Sequence, residues 1–170
     1  MLCYTTISIK QRAVFMQKVT LGNLIPDFEL SSTGNTSFRL SDHHGKHVVI
    51  YFYPKDNTPG CTLEAQNFRD HIVEFEAKNT IIVGVSRDSV RVHEGFKSKQ
   101  NLPFELLSDA DGSVCTLFDV IKLKKNFGHE YMGIVRSTFL IDKNGILLQE
   151  WRNVRVKEHF SQVLDEINTP

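Results

Sequence analysis

The apolar residues fall into runs that predict alternating strands and helices. Val48-Val49-Ile50-Tyr51-Phe52-Tyr53 is unbroken and of strand length, the pattern of a strand buried on both faces. After a polar loop, Cys61, Ala65, Phe68, Ile72 and Phe75 recur at steps of four, three, four and three, so a helix puts them on one face. Lys78-Asn79 ends that helix, and Thr80 to Ser86 is a second apolar strand. The intervening helix predicts that the two strands are parallel. Ser89 to Gln100 reads as a helix with Val92 and Phe96 inward, and Phe104 to Leu107 as a short strand. Asp109 to Gly112 is a turn, after which Asp111 or Ser113 caps a short helix carrying Val114, Leu117 and Phe118. Residues 121–134, with Lys122, Lys124, Lys125, Gly128 and Gly133, read as a loop. Ser137 to Asp142 and Ile146 to Trp151 flank Asn144-Gly145, a tight-turn signal for a hairpin. Val156 to Ile167 closes the chain as a helix with Phe160, Val163, Leu164 and Ile167 on one face. Upstream, Phe28-Glu29-Leu30 and Phe38-Arg39-Leu40 flank the polar stretch Ser31 to Ser37 and predict a small hairpin.

This order is that of an α/β domain: a central mixed β-sheet flanked by helices, with an N-terminal β-hairpin. The 170 residues suit one such domain over 19–170. Residues 1–18 read as a disordered leader, or as an upstream start ahead of Met16. They carry Lys10, Arg12 and Lys18 but no acid, and they lack the arginine content of a transit peptide.

Charge and composition narrow the function by exclusion. Lysine plus arginine balance aspartate plus glutamate at 20 each, which argues against a nucleic-acid or anionic-membrane surface. No apolar stretch approaches the ~20 residues of a membrane span. Three cysteines, at 3, 61 and 115, leave at least one unpaired, which fits a reducing compartment and a cytoplasmic location. His43, His44 and His47 share a turn with one carboxylate, Asp42, and read as solvated surface. No metal site and no cofactor is expected.

The chemistry centres on Cys61. It sits where the first apolar strand turns into a helix, and the free N–H groups and helix dipole there favour a thiolate. The pattern around it is specific. Pro54, Thr58 and Cys61 fit Pro-x-x-x-Thr-x-x-Cys, within Tyr-Phe-Tyr-Pro-Lys-Asp-x-Thr-Pro-Gly-Cys-Thr-x-Glu-Ala at 51–65. Asn-Leu-Ile-Pro-Asp-Phe at 23–28, Leu-Leu-Ser-Asp at 106–109 and Arg-x-Thr-Phe-Leu-Ile-Asp at 136–142 follow the same order. Over residues 19–168 the chain resembles the peroxiredoxins, in particular the bacterioferritin-comigratory (Q-type) subfamily, and so the thioredoxin-like fold.

The resemblance implies a thiol-dependent peroxidase, an antioxidant enzyme that reduces hydrogen peroxide and organic hydroperoxides. Cys61 would be the peroxidatic nucleophile and would become a sulfenic acid. Arg136 would donate to sulfur and peroxide, and Thr58 would hydrogen-bond the sulfur or the peroxide. Pro54 would shield the site, and the backbone N–H groups of Gly60 and Cys61 would bind the peroxide oxygens. Glu64 would hold Arg136 in place, and Tyr53 would line the pocket or pack as a buried strand aromatic. Many members of the subfamily carry a resolving cysteine five residues after the peroxidatic one, where this chain has Gln66. Others place it on the next helix, but residues 87–100 contain no cysteine. The favoured expectation is a one-cysteine mechanism in a monomer or weak dimer, with thioredoxin, glutaredoxin or glutathione as reductant. Resolution by Cys115 or Cys3 stays open, as does thioredoxin-like thiol-disulfide exchange, although Cys61 has neither partner of a Cys-x-x-Cys pair.

Overall fold

The computed structural model describes residues 17–167. The expected leader, with Cys3, lies outside the described residues except at its last two positions, where the Lys18 ammonium donates to Asp119 at 2.6 Å. The strands are β1 (Glu29–Ser32), β2 (Thr36–Arg39), β3 (His47–Phe52), β4 (Thr80–Ser86), β5 (Glu105–Ser108), β6 (Ile121–Asn126), β7 (His129–Ile134), β8 (Ser137–Ile141) and β9 (Leu147–Trp151). The helices are α1 (Pro59–Asp70), α2 (Ile72–Glu76), α3 (Val90–Gln100), α4 (Ser113–Leu117) and α5 (His159–Ile167). A seven-stranded sheet runs in the order β2-β1-β5-β4-β3-β8-β9, with β3, β4 and β5 parallel and the other pairings antiparallel. The expected mixed sheet and N-terminal hairpin are both present.

Strand β3 divides the core in two. Val48, Ile50 and Phe52 point to one face, where they join Val114, Cys115 and Phe118. Val49, Tyr51 and Tyr53 point to the other, where they join Cys61, Ala65, Phe68, Phe75 and Phe96. Such alternation is the period of a strand, here apolar on both sides because helices cover both faces. Opposite Tyr51 in the β3–β4 register stands Gly84. A Cβ there would lie 2.8 Å from the Tyr51 hydroxyl oxygen and 2.9 Å from Leu106 Cδ2, so the tyrosine occupies the space of a side chain.

The structure corrects several local expectations. Residues 121–134 are not a loop but the antiparallel ribbon β6–β7, paired from Ile121↔Ile134 to Asn126↔His129. Most of its residues are exposed, Leu123 and Met132 among them, so it lacks the long buried apolar run that marks β3 and β4. In α3 the inward residues are His93 and Phe96, while Val92 is exposed. The helix predicted over 61–75 is broken at His71, whose ring Nδ1 takes the Asn67 carbonyl at 2.8 Å that a continuing helix would offer to its N–H. At the start of α4 Asp111, one of the two expected caps, accepts from the Ser113 N–H at 2.9 Å, and Asp109 adds to it by accepting from the N–H groups of Val114 at 3.2 Å and Cys115 at 2.7 Å. The closing helix begins at His159, not Val156. No helix among the described residues is long and apolar enough to cross a membrane.

Candidate active site

Topology brings the two ends of the site together. β3 and β8 are antiparallel, with Phe52 opposite Ser137. Arg136, one residue before β8, therefore lands beside the segment that follows β3. That segment leads to Thr58, the extended N-cap of α1, and to Pro59, whose fixed φ suits the first helical position. Cys61 follows in the first turn and is 1 % exposed. The Arg136 guanidinium donates through Nη2 to Cys61 Sγ at 3.4 Å and through Nη1 to Glu64 Oε1 at 3.2 Å. Glu64 stands one helical turn beyond Cys61, so the planar fork of Arg136 bridges two positions on one helix edge. A Cβ on Gly60 would lie 3.1 Å from Nη2, and the glycine thus gives the guanidinium its room.

Burial sets the electrostatics. It pushes the Glu64 carboxyl up to about 7, with Arg136 pulling the other way. For Arg136, burial opposes the charged form, but Glu64 and Cys61 outweigh it and hold the guanidinium above its ordinary value. The Glu64 Oε2 atom and the Tyr51 hydroxyl are buried without a hydrogen-bond partner among the described residues. The Thr58 hydroxyl donates to the Lys55 carbonyl at 2.8 Å, not to the sulfur, which leaves its oxygen lone pairs free to accept. Thr62 N–H makes the first intrahelical bond, to Thr58 at 2.9 Å, and the N–H groups of Gly60 and Cys61 precede it as first-turn donors.

Sequence reasoning missed the support beneath this loop. Tyr53 is buried and donates from its hydroxyl to Asp56 Oδ1 at 2.6 Å. His93 Nδ1 meets Asp56 Oδ2 at 2.6 Å, and its Nε2 meets the Leu107 carbonyl at 3.0 Å. A carbonyl can only accept, so Nε2 donates to Leu107 and Nδ1 is the ring nitrogen that faces Asp56. The Asp56 N–H donates to Asp88 Oδ2 at 2.9 Å, which fastens the loop to the end of β4. Asp56, Asp88 and His93 each bring one potential metal-ligand atom within 4.8 Å of the others, but the hydrogen bonds above already engage those atoms. The only signal in the sequence was an aspartate inside the Pro54–Cys61 loop and a histidine on α3, too far apart to link by spacing.

Cys115 lies across the sheet from Cys61. Both are free thiols, buried in opposite halves of the core. Burial first, then Asp109, pushes the Cys115 thiol far above its ordinary value. Gln66, in the local resolving position, donates to Gln100 Oε1 at 2.9 Å, and Arg69 donates to the Gln100 carbonyl at 2.8 Å. These two bonds clip α1 to the end of α3. Pro54 is exposed and forms part of the wall of a cavity that also includes Lys55 and Lys124.

Comparison with known proteins agrees with this geometry. The AhpC/TSA family model matches residues 21–150. Peroxiredoxin Bcp of Bacillus subtilis is 52 % identical over 149 residues, covering 88 % of this chain and 95 % of the relative. Xanthomonas campestris peroxiredoxin Q superposes with a TM-score of 0.79 at 46 % identity, covering 82 % of this chain and 89 % of that one. A cysteine-to-serine variant of Xylella fastidiosa PrxQ reaches a TM-score of 0.84 at 39 % identity, covering 89 % and 96 %. The family match, the shared thioredoxin-like architecture and these identities establish that the chain belongs to the AhpC/TSA family, as a thiol peroxidase of the Bcp, or Q-type, peroxiredoxins.

Proposed function

We propose that Cys61 is the peroxidatic residue and that it reduces hydrogen peroxide and organic hydroperoxides by a one-cysteine cycle. The observation that carries this reading is the Glu64–Arg136–Cys61 chain, in which one partly buried guanidinium donates to both the carboxylate and the sulfur. The thiolate is the nucleophilic form of a cysteine, and the guanidinium stands within hydrogen-bond reach of Sγ. The thiolate attacks the terminal oxygen of the hydroperoxide. An S–O bond forms, the O–O bond breaks, and the departing oxygen takes up a proton to leave as water or an alcohol. Arg136 and the first-turn N–H groups of Gly60 and Cys61 face the developing negative charge. Thr58 accepts from the peroxide O–H, Pro54 shields the site from water, and Glu64 orients the fork of Arg136. A structure of Xanthomonas campestris bacterioferritin comigratory protein, 46 % identical, was described for its alkyl peroxide reduction activity, which supports organic hydroperoxides as substrates here.

The sheet between Cys61 and Cys115 supports an external reductant. A disulfide needs its two Cα atoms within ~7 Å, whereas these thiols are packed on opposite faces. The Cys61 sulfenic acid is then reduced by thioredoxin, glutaredoxin or glutathione through a mixed disulfide. The free thiols of Cys61 and Cys115 suit a reducing cytoplasm. The enzyme works as a monomer or weak dimer. Steady-state peroxide consumption with each cysteine replaced by serine tests the cycle. Cys61→Ser is expected to abolish turnover, and Cys115→Ser and Cys3→Ser to retain it. Loss of turnover in Cys115→Ser with the fold intact would replace this reading by a two-cysteine one.

A further inference from the structure

Beside Pro54 lies a cavity of about 500 Å³, formed where the β6–β7 ribbon approaches the Cys61 loop. Three cations line it, Lys55, Arg87 and Lys124, and no carboxylate does. In a chain of zero net charge this is a local imbalance. It is also unrelieved. The ribbon's other two lysines are paired, Lys122 with Asp119 at 3.0 Å and Lys125 with Glu130 at 3.2 Å. The side chains of Lys55, Arg87 and Lys124 form no ion pair with any described residue. Burial, then the charge of Arg136, lowers the Lys124 ammonium below its ordinary value, and the Cys61 sulfur acts on it in the opposite sense. Lys124 is therefore in electrostatic range of the reacting atoms. Pro54, Tyr131 and Ile134 supply an apolar wall.

We propose that this cavity docks the reductant, and that the reductant is a small thiol bearing two carboxylates, of the glutathione class. The proposal rests on the one-cysteine reading above, since only an external thiol needs such a dock. Hydrogen peroxide is neutral and far too small to require it. Three neighbouring cations repel one another, and an entering pair of carboxylates relieves that repulsion in a site partly shielded from water. The volume is that of an ordinary small-ligand pocket. Two carboxylates use the charge better than the single one of a monoacid hydroperoxide, and the apolar wall receives the methylene groups. The thiolate sulfur of the docked molecule attacks Cys61 Sγ. An S–S bond forms, the S–O bond breaks, and hydroxide leaves and is protonated to water. A second thiol then attacks the reductant sulfur of this mixed disulfide, releasing the oxidised reductant and the Cys61 thiolate. Two thiols thus supply the two electrons that the peroxide accepted.

Sequential-mixing kinetics test this. Full-length protein is oxidised with one equivalent of hydrogen peroxide, and sulfenic acid formation is verified. It is then mixed with glutathione or with its diethyl ester, in which both carboxylates are masked. Glutathione is expected to react faster than the ester, and added salt to slow glutathione alone. In Arg87→Glu/Lys124→Glu the glutathione-to-ester ratio should fall by about tenfold or more, the lower range of electrostatic steering. The salt comparison uses the wild type and holds even if the double variant folds poorly. Equal rates for the two thiols at low salt, or a ratio unmoved by the charge reversals, would overturn the proposal. So would a variant that instead slows the first mix with a carboxylate-bearing organic hydroperoxide, since the cavity would then serve the peroxide. Failure of Cys61 to form a sulfenic acid appears in the first mix and removes the underlying reading as well.

Discussion

In the proposed mechanism Arg136 and Glu64 are the residues that can be tested one side chain at a time. Arg136→Met removes the cation beside Cys61 Sγ and should slow single-turnover oxidation by hydrogen peroxide about a hundredfold, as for loss of one preorganised donor. Glu64→Gln keeps the shape and removes the charge. Its effect on stability has a definite sign. The carboxyl is raised from an ordinary 4.5 to about 7 in the folded protein, so the native state holds its proton more tightly than the unfolded chain. Its contribution is full below the ordinary value and is lost as pH rises toward 7, by at most about 3 kcal/mol. Urea unfolding at pH 5 and pH 7 should show wild type losing more stability over that interval than Glu64→Gln. Equal losses would mean that Glu64 is not buried and raised. Cys61, Thr58 and Pro54 could be read from the chain because their spacing is local. Arg136 came only through the family resemblance, since nothing in its own neighbourhood distinguishes it from a surface arginine. The geometry that joins it to Glu64 is tertiary.

Among the elements, the periodic ones were legible and the irregular ones were not. β3, β4, β8 and α1 announce themselves through unbroken apolar runs or a four-three spacing. The β6–β7 ribbon does not, because backbone pairing rather than a buried face makes it a hairpin. His93 was hidden for a related reason. A histidine on a helix surface and one paired to a buried aspartate look alike until the fold brings Asp56 beneath it. That pair makes a prediction at this scale. His93→Leu leaves the Asp56 carboxylate buried without its partner, which typically costs about 3–5 kcal/mol. Because Asp56 lies between Pro54 and Thr58, the same change should slow Cys61 oxidation even in the folded fraction. A folded His93→Leu variant with unaltered oxidation kinetics would show that the network stabilises the fold without positioning the loop.

For the molecule as a whole, the sheet decides what the enzyme can do after its first step. The sequence showed three cysteines and a glutamine where a local resolver could stand, but not which face each thiol occupies. That depends on β3 separating two halves of the core. With Cys115 on the far face and α1 clipped to α3 through Gln66 and Arg69, no described thiol can meet Cys61 without large rearrangement. An unresolved sulfenic acid should then advance to sulfinic acid when peroxide is in excess. The most direct test is intact-protein and peptide mass spectrometry after one equivalent of hydrogen peroxide, with no thiol present. A single added oxygen on Cys61, trapped by a sulfenic-acid reagent, is the result expected. Loss of two hydrogens, mapped to a disulfide between Cys61 and Cys115 or Cys3, would contradict the one-cysteine account.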